Sequence, residues 1–262
     1  RPNGAPVNNA AETSSGAVSF MEVFSTTTAT ICQKGRRGAL MISIDCSHPD
    51  VEEFINIKSD LDKVTKANIS IKVTDDFLEA VENDKEWELF FEFDDGSKMT
   101  KLVQARDLMR QIAKVNWDYA EPGFLFWDRI ENWNIMSQDP NFEYASTNPC
   151  AEEPLPKGGS CLLGSINLAN FVDNPFTEFA TFDFVGFNQM VREGVIYLNE
   201  ILDEGLPLHP LQEQRDTVRD LRQIGLGVMG IADMLIKLGI RYGSKEAVEL
   251  CDLIGFNMAN EA

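Results

Sequence analysis

Ala39-Leu40-Met41-Ile42-Ser43-Ile44-Asp45-Cys46 is apolar and nearly continuous, the pattern of a strand buried on both faces, and such strands belong to parallel sheets. Outward from it, helical and extended patterns alternate. Asp50 to Ile57 has helical spacing, Ala67 to Val73 reads as a second strand, and Asp75 to Asn83 reads as a helix capped by Thr74 or Asp75. Trp87 to Phe93 and Lys98 to Val103 pattern as a hairpin around Asp94-Asp95-Gly96. Gln104 to Tyr119 is a further helix, and Gly123 to Asp128 a short aromatic strand or turn. On the N-terminal side, Val18 to Cys32 carries Val18, Met21, Phe24 and Thr28 at helical spacing. Arg1 to Gly16, rich in Pro, Asn, Gly, Ser and Thr, reads as irregular loop or frayed terminus. Toward the C-terminus the expected helices are Leu162 to Phe171, Asp183 to Glu204, Gln212 to Gln223, Gly227 to Leu238 and Lys245 to Glu261. The alternation predicts an α/β fold with parallel strands.

The chain has 262 residues and 44% hydrophobic content, enough to bury a core. No run approaches the roughly 18 to 20 apolar residues of a membrane span, and no basic-then-apolar signal segment opens the sequence. Five cysteines without an export signal point to a reducing cytoplasm. A start at Arg1 fits a piece of a longer chain. With 23 basic against 42 acidic residues the net charge is −19, which argues against a nucleic-acid partner. One tight basic cluster, Lys34, Arg36 and Arg37 with Gly35 and Gly38, could meet a phosphate-bearing ligand locally.

The chemistry-bearing stretch is Ser146-Thr-Asn-Pro-Cys-Ala-Glu-Glu-Pro-Leu-Pro-Lys-Gly-Gly-Ser-Cys161. In extended backbone, residues at i−2, i and i+2 share a face, so Asn148, Cys150 and Glu152 would present an amide, a sulfur and a carboxylate together. Pro149, Pro154 and Pro156 disfavour a helix. From composition alone, a proline-rich surface loop with an inert cysteine is the first reading.

Gly225-Leu226-Gly227-Val228-Met229-Gly230 satisfies G-x-G-x-x-G, which binds dinucleotides only between a strand and a helix. The charged run Gln214 to Gln223 before it is a poor central strand, so a close helix-packing site is expected; a strand before Gly225 would favour nicotinamide binding and a helix would exclude it. No C-x-x-C or H-E-x-x-H occurs, the only histidines are His48 and His209, and no metal site is expected. His48 reads as a turn or cap residue. Cys32 and Cys46 read as buried or loop thiols, and Cys251 as core.

Asn148-Pro149-Cys150-Ala151-Glu152, with Ser160-Cys161 and Leu163-Gly164-Ser165-Ile166-Asn167-Leu168, resembles the finger-loop motif of the ribonucleotide reductase large (catalytic) subunit. Further similarities occur in order along nearly the whole chain: Arg1-Pro2-Asn3-Gly4-Ala5-Pro6, Gln33 to Ala39, His48-Pro49-Asp50 with Glu53-Phe54-Ile55, and Ile224 to Gly230. The resemblance implies one partial catalytic domain over residues 1–262, belonging to a ten-stranded α/β barrel with a central finger loop, whose N- and C-terminal parts lie outside this sequence.

It also implies roles. Cys150 would carry a thiyl radical that takes the ribose 3′ hydrogen, Glu152 would be general base on the 3′ hydroxyl, and Asn148 would orient the ribose. Cys161 would be one member of a redox-active cysteine pair whose partner is absent here. Gln33 and Arg36 or Arg37 would form the specificity loop, and Arg1 would hold phosphate of a dNTP or ATP effector. Cys161 follows Cys150 by 11 residues, a spacing that resembles the adenosylcobalamin-dependent type more than the iron-dependent one. The expected activity is reduction of a ribonucleoside diphosphate or triphosphate to the deoxyribonucleotide. Expected partners are a thioredoxin- or glutaredoxin-type reductant, a second copy in a homodimer, and a metal-bearing radical subunit if the cobalamin assignment fails. The other readings are a split reductase piece active only with its complement, and a nicotinamide-dependent oxidoreductase.

Overall fold

The computed structural model describes residues 1–31 and 38–262, and the chain forms two compact units, Arg1–Pro156 and Lys157–Ala262. The first opens with two short antiparallel strands, β1 (Asn3–Pro6) and β2 (Thr13–Ser15), followed by helix α1 (Ala17–Ile31). This replaces the irregular loop expected from composition, and the cause is distant in sequence. The buried carboxylate of Asp50 accepts from Asn3 N–H at 2.9 Å and from Ala17 N–H at 2.8 Å, fixing the hairpin and the start of α1 together. Gly16 between them has φ 87°, and a Cβ there would lie 2.8 Å from Asn3 Cβ.

Strands β3 (Leu40–Asp45) and β4 (Ala67–Val73) then pair in parallel, with helix α2 (Val51–Asn56) between them in sequence. Helix α3 (Asp75–Glu82) follows β4 directly, and its cap is Thr74, whose Oγ1 accepts from Phe77 N–H at 3.2 Å. The predicted hairpin is β5 (Glu86–Glu92) with β6 (Lys98–Gln104). Helix α4 (Ala105–Tyr119) buries Ala105, Leu108, Ile112 and Val115, a single apolar stripe. Strand β7 (Gly123–Phe126) completes a three-stranded parallel sheet in the order β3-β4-β7, and helix α5 (Trp127–Asn132) follows.

The sheet has one apolar face. Ala67, Ile69, Ile71 and Val73 of β4 enter a core with Phe54, Ile55, Phe77 and Ile112, while the alternate residues Asn68, Ser70 and Lys72 point the other way. The expectation that β3 is buried on both faces is corrected by the same alternation: Ile44 is buried in the core, whereas Ser43 bonds a hydroxyl on the opposite side. An antiparallel pair, β8 (Tyr144–Thr147) with β9 (Pro154–Pro156), ends this unit.

The second unit is built on β10 (Leu162–Asn167), followed by the short pair β11 (Val172–Asp173) and β12 (Thr181–Phe182). Helices α6 (Phe184–Gly205) and α7 (Gln212–Leu221) lead to β13 (Ile224–Met229), which pairs with β10 in parallel; α8 (Ile231–Leu238) and α9 (Lys245–Glu261) complete it. Two expected helices are therefore corrected. Leu162 to Phe171 is a strand and a 3₁₀ turn, and the helix expected from Gly227 begins only at Ile231. Gly164 and Gly227 are weak helix formers, and Gly164 allows Leu198 of α6 to approach to 3.3 Å of where its Cβ would be. Gly230 separates strand from helix at φ 73°, where a Cβ would meet Asn167 Oδ1 at 2.2 Å. The core of this unit joins Ile166, Phe187, Val191, Met234, Leu235 and Ile254.

Candidate active site

The polar face of the three-stranded sheet carries the hairpin that holds Cys150. Among the described residues, three side-chain hydrogen bonds tie that hairpin to the sheet. Lys72 Nζ donates to Ala145 O at 2.7 Å, the Ser43 and Ser146 hydroxyls lie 2.9 Å apart, and Asn68 Nδ2 donates to Pro149 O at 2.7 Å. Numbers fall along β4 as they rise along β8, so the two segments run in opposite directions. The Lys72 ammonium also sits 3.7 Å from the centre of the Trp127 ring. Burial holds the Lys72 pKa below its ordinary value, opposed by the charges of Asp45, Glu131 and Glu143.

Between β8 and β9 the chain makes a tight turn. Asn148 N–H donates to Glu153 O, Glu153 N–H donates to Asn148 Oδ1, and Ala151 N–H donates to Asn148 O, at 3.1, 3.1 and 3.0 Å. Ala151 has φ 67°, in the left-handed region. The extended backbone expected over Asn148, Cys150 and Glu152 is therefore corrected: the three residues sit on one turn. Cys150 and Glu152 are exposed and Asn148 is half-buried.

Beside the turn, a cleft of about 610 Å³ is lined by Thr28, Ala29, Gly38, Leu40, Lys66 and Asn68, among others. Its size is that of a small-molecule pocket, and it shares Asn68 with the cysteine turn. Gly38 returns so close to α1 that a Cβ would lie 2.7 Å from Thr28 Cγ2. Gln33, Arg36 and Arg37, with Cys32 and Lys34, lie outside the described residues.

Cys161 is half-buried and directly precedes β10 in the second unit, where Leu162 N–H donates to Gln223 O at 3.1 Å. Arg1 donates from Nη1 to Pro6 O at 2.8 Å, lies 3.5 Å from Asp94, and stacks 5.6 Å from the Phe93 ring centre. His48 is a turn residue as expected: its Nδ1 accepts from Asp50 N–H and its carbonyl accepts from Val51 N–H, both at 3.0 Å. Burial holds the His48 pKa below its ordinary value and raises that of the buried Cys46 thiol. Cys251, expected in the core, is exposed, because α9 turns Ala247 and Ile254 inward instead.

The G-x-G-x-x-G segment is itself a strand. Gly225 and Gly227 lie within β13, and helix α7 precedes it, which excludes the strand–turn–helix arrangement of a dinucleotide site; the close packing expected there is made by a strand, with Leu226 against Gly194 of α6. Among the described residues, no group of three or more His, Cys, Asp or Glu could hold a metal ion, and no helix is long and apolar enough to cross a membrane.

Sequence reasoning missed Asn68, Lys72 and Ser43 as parts of this site. The available signal was a strand whose alternate residues Asn68, Ser70 and Lys72 are all polar, which makes one face of the sheet unlike the core.

Comparison with known proteins bears on the whole length. The chain is 39% identical over 252 residues to the vitamin B12-dependent ribonucleoside-diphosphate reductase of Thermoplasma acidophilum, covering 95% of this chain and 32% of that protein. The corresponding enzyme of Mycobacterium tuberculosis is 35% identical, with 95% and 35% covered. The vitamin B12-dependent ribonucleotide reductase of Streptomyces avermitilis is 30% identical, with 88% and 26% covered. The chain thus spans about a third or less of the length of these relatives. The family model for the ribonucleotide reductase barrel domain matches residues 1–262, from β1 through the cysteine turn to α9, and the chain accordingly belongs to the ribonucleotide reductase barrel-domain family.

Proposed function

We propose that this chain is the catalytic portion of an adenosylcobalamin-dependent ribonucleotide reductase, with Cys150 as the hydrogen-abstracting residue. The observation that carries the reading is an exposed cysteine on a hairpin turn, flanked by Asn148 and Glu152 and fixed to the polar face of a parallel sheet. The names of the two more similar relatives favour a ribonucleoside diphosphate as substrate. We infer that β3, β4, β7, β10 and β13 belong to a single domain, a ten-stranded α/β barrel completed by chain outside this sequence. Their parallel pairing supports this reading.

The exposed thiol of Cys150 fits an external radical source. Adenosylcobalamin supplies, when bound, a carbon radical able to take the hydrogen atom of a thiol. The Cys150 sulfur then takes the 3′ hydrogen of the ribose. Glu152 accepts the 3′ hydroxyl proton while the 2′ carbon–oxygen bond breaks and the oxygen leaves as water. Asn148 Oδ1 is held by Glu153 N–H, so its Nδ2 is the group that faces the ribose hydroxyls. Cys161 and a second thiol from the rest of the enzyme supply two electrons and two protons and close a disulfide. One ribonucleotide and two thiols thereby give one deoxyribonucleotide, one disulfide and one water. A thioredoxin- or glutaredoxin-type protein, or dithiothreitol, reopens the disulfide.

The cleft lined by Lys66 and Asn68 is the proposed substrate cavity. Gln33 with Arg36 or Arg37 would read the effector, a dNTP or ATP, and Arg1 would exchange its Asp94 partner for effector phosphate. A homodimer and a cytoplasmic location belong to the same reading.

The test is ribonucleoside-diphosphate reduction by the full-length parent chain with adenosylcobalamin and dithiothreitol and no partner protein. Deoxynucleotide formation is expected, and Cys150→Ser should abolish it while substrate binding persists. Activity only with a metal-bearing radical subunit would overturn the cobalamin assignment, and turnover by Cys150→Ser would overturn the radical role.

A further inference from the structure

The hydrogen bonds inside the Asn148–Glu153 turn fix its shape, but they leave its height above the sheet undetermined. That height is set by groups on the sheet itself. Two of them are matched: Lys72 and Asn68 are four residues apart on β4, and the carbonyls they hold, Ala145 and Pro149, are four residues apart on the hairpin. Both bonds are 2.7 Å long and both run from a side-chain N–H to a backbone oxygen, so they are indifferent to the side chains of β8. The Pro149 carbonyl belongs to the same peptide unit as the Cys150 nitrogen. Pro149 has a fixed φ, so holding its oxygen fixes the direction from which the chain enters Cys150.

Neither donor has a purely structural reason for its place. Asn68 is exposed on a strand, where asparagine is disfavoured, and contributes nothing to the core behind it. Lys72 is braced on the Trp127 ring, and the charges of Asp45, Glu131 and Glu143 favour its ammonium form.

We propose that Asn68 and Lys72 are positioning residues for the proposed reaction, setting the location of the Cys150 sulfur through the Pro149 and Ala145 carbonyls. The proposal rests on the reading of Cys150 as the hydrogen-abstracting residue. A sulfur displaced by about 1 Å from its reacting partner lowers a rate on the order of 100-fold, without a matching loss of binding.

The experiment uses the full-length parent enzyme with adenosylcobalamin and dithiothreitol, and compares Asn68→Asp, Lys72→Met, Lys72→Arg and Cys150→Ser. Asn68→Asp keeps the size of the residue, removes the donor and sets an oxygen against the Pro149 carbonyl. The expected result is a kcat lowered about 10- to 100-fold, an unchanged melting temperature, and an altered alkylation rate of Cys150 by iodoacetamide; because Asn68 itself lines the cleft, the KM test belongs to Lys72→Met, where KM should change less than about threefold. Lys72→Met should act the same way and Lys72→Arg should recover part of the rate. A normal kcat and alkylation rate in Asn68→Asp would overturn the proposal. So would a rate loss that only follows a fall in melting temperature. Because Asn68 is exposed, that variant stays informative even if Lys72→Met fails to fold. If Cys150→Ser is dead while Asn68→Asp is normal, the positioning role alone fails; if Cys150→Ser turns over, the underlying reading fails.

Discussion

At the scale of the residue, His48 shows how one half-buried acceptor links a local turn to pH. Its Nδ1 takes the Asp50 N–H, and the Asp50 carboxylate in turn holds the starts of β1 and α1. Burial lowers the His48 pKa below the ordinary 6.5. Between the lowered folded value and 6.5 the unfolded chain therefore binds a proton that the folded chain does not, and stability rises with pH across that window. The expectation is that the chain loses stability as pH falls below 6.5, and that His48→Asn, which keeps an acceptor but cannot titrate, removes that part of the loss. Urea unfolding midpoints of both forms at pH 7.5 and at successively lower pH would check it; parallel curves would refute the assignment. Asp50 also marks a limit of sequence reading. Helical spacing near it was visible, yet its bond to Asn3 crosses 47 residues, and no local pattern could announce the N-terminal strands. Ala151 is a second case, since a left-handed alanine carries no compositional sign, and with the Asn148 hydrogen bonds it converts the expected extended segment into a turn.

At the scale of the element, β4 organises the first unit, and its beginning is held by a charged pair. Glu121 accepts from Ile69 N–H at 2.9 Å and pairs with Lys58 at 2.9 Å, while Lys58 also donates to Val64 O at 2.9 Å and Ala67 O at 2.6 Å. The β7 register begins only opposite Ser70, so the carboxylate takes the place of a strand partner for Ile69. Glu121→Ala leaves that N–H without an acceptor and a largely buried ammonium without its counter-charge, and should cost about 2 to 3 kcal/mol in urea unfolding. Glu121→Gln, which keeps an acceptor for Ile69, should cost roughly half as much. Equal losses in the two variants would mean that the charge pair dominates. Elements with strong local patterns were legible: β4, α4, α9 and the β5–β6 hairpin lie within a residue or so of their expected bounds. The β10–β13 pair was not. Its strands are glycine-rich, lie 62 positions apart in sequence, and are defined by each other and by α6 rather than by their own periodicity.

At the scale of the whole molecule, each unit is stabilised around its own aromatic and aliphatic centre. In the second, Phe171, Phe182 and Phe187 meet with ring centres 5.6 to 6.3 Å apart, and Phe187 is fully buried. Phe187→Ala should destabilise that unit by about 3 to 5 kcal/mol, seen as lost amide protection in α6, α8 and α9 by hydrogen exchange. Retained protection there would show that the cavity is refilled. The motifs named the family and located the cysteine segment, and local patterns named the parallel strands of the first unit. The side chains that fix the turn lay 73 and 81 residues from the carbonyls they hold, beyond the reach of any motif. Those two bonds make the hairpin a measured length of chain. Exchanging side chains at Ser146 or Thr147 leaves the count between the held carbonyls intact, whereas adding or removing one residue between Ala145 and Pro149 shifts every later position by one step. The segment should therefore accept substitution far more readily than insertion or deletion.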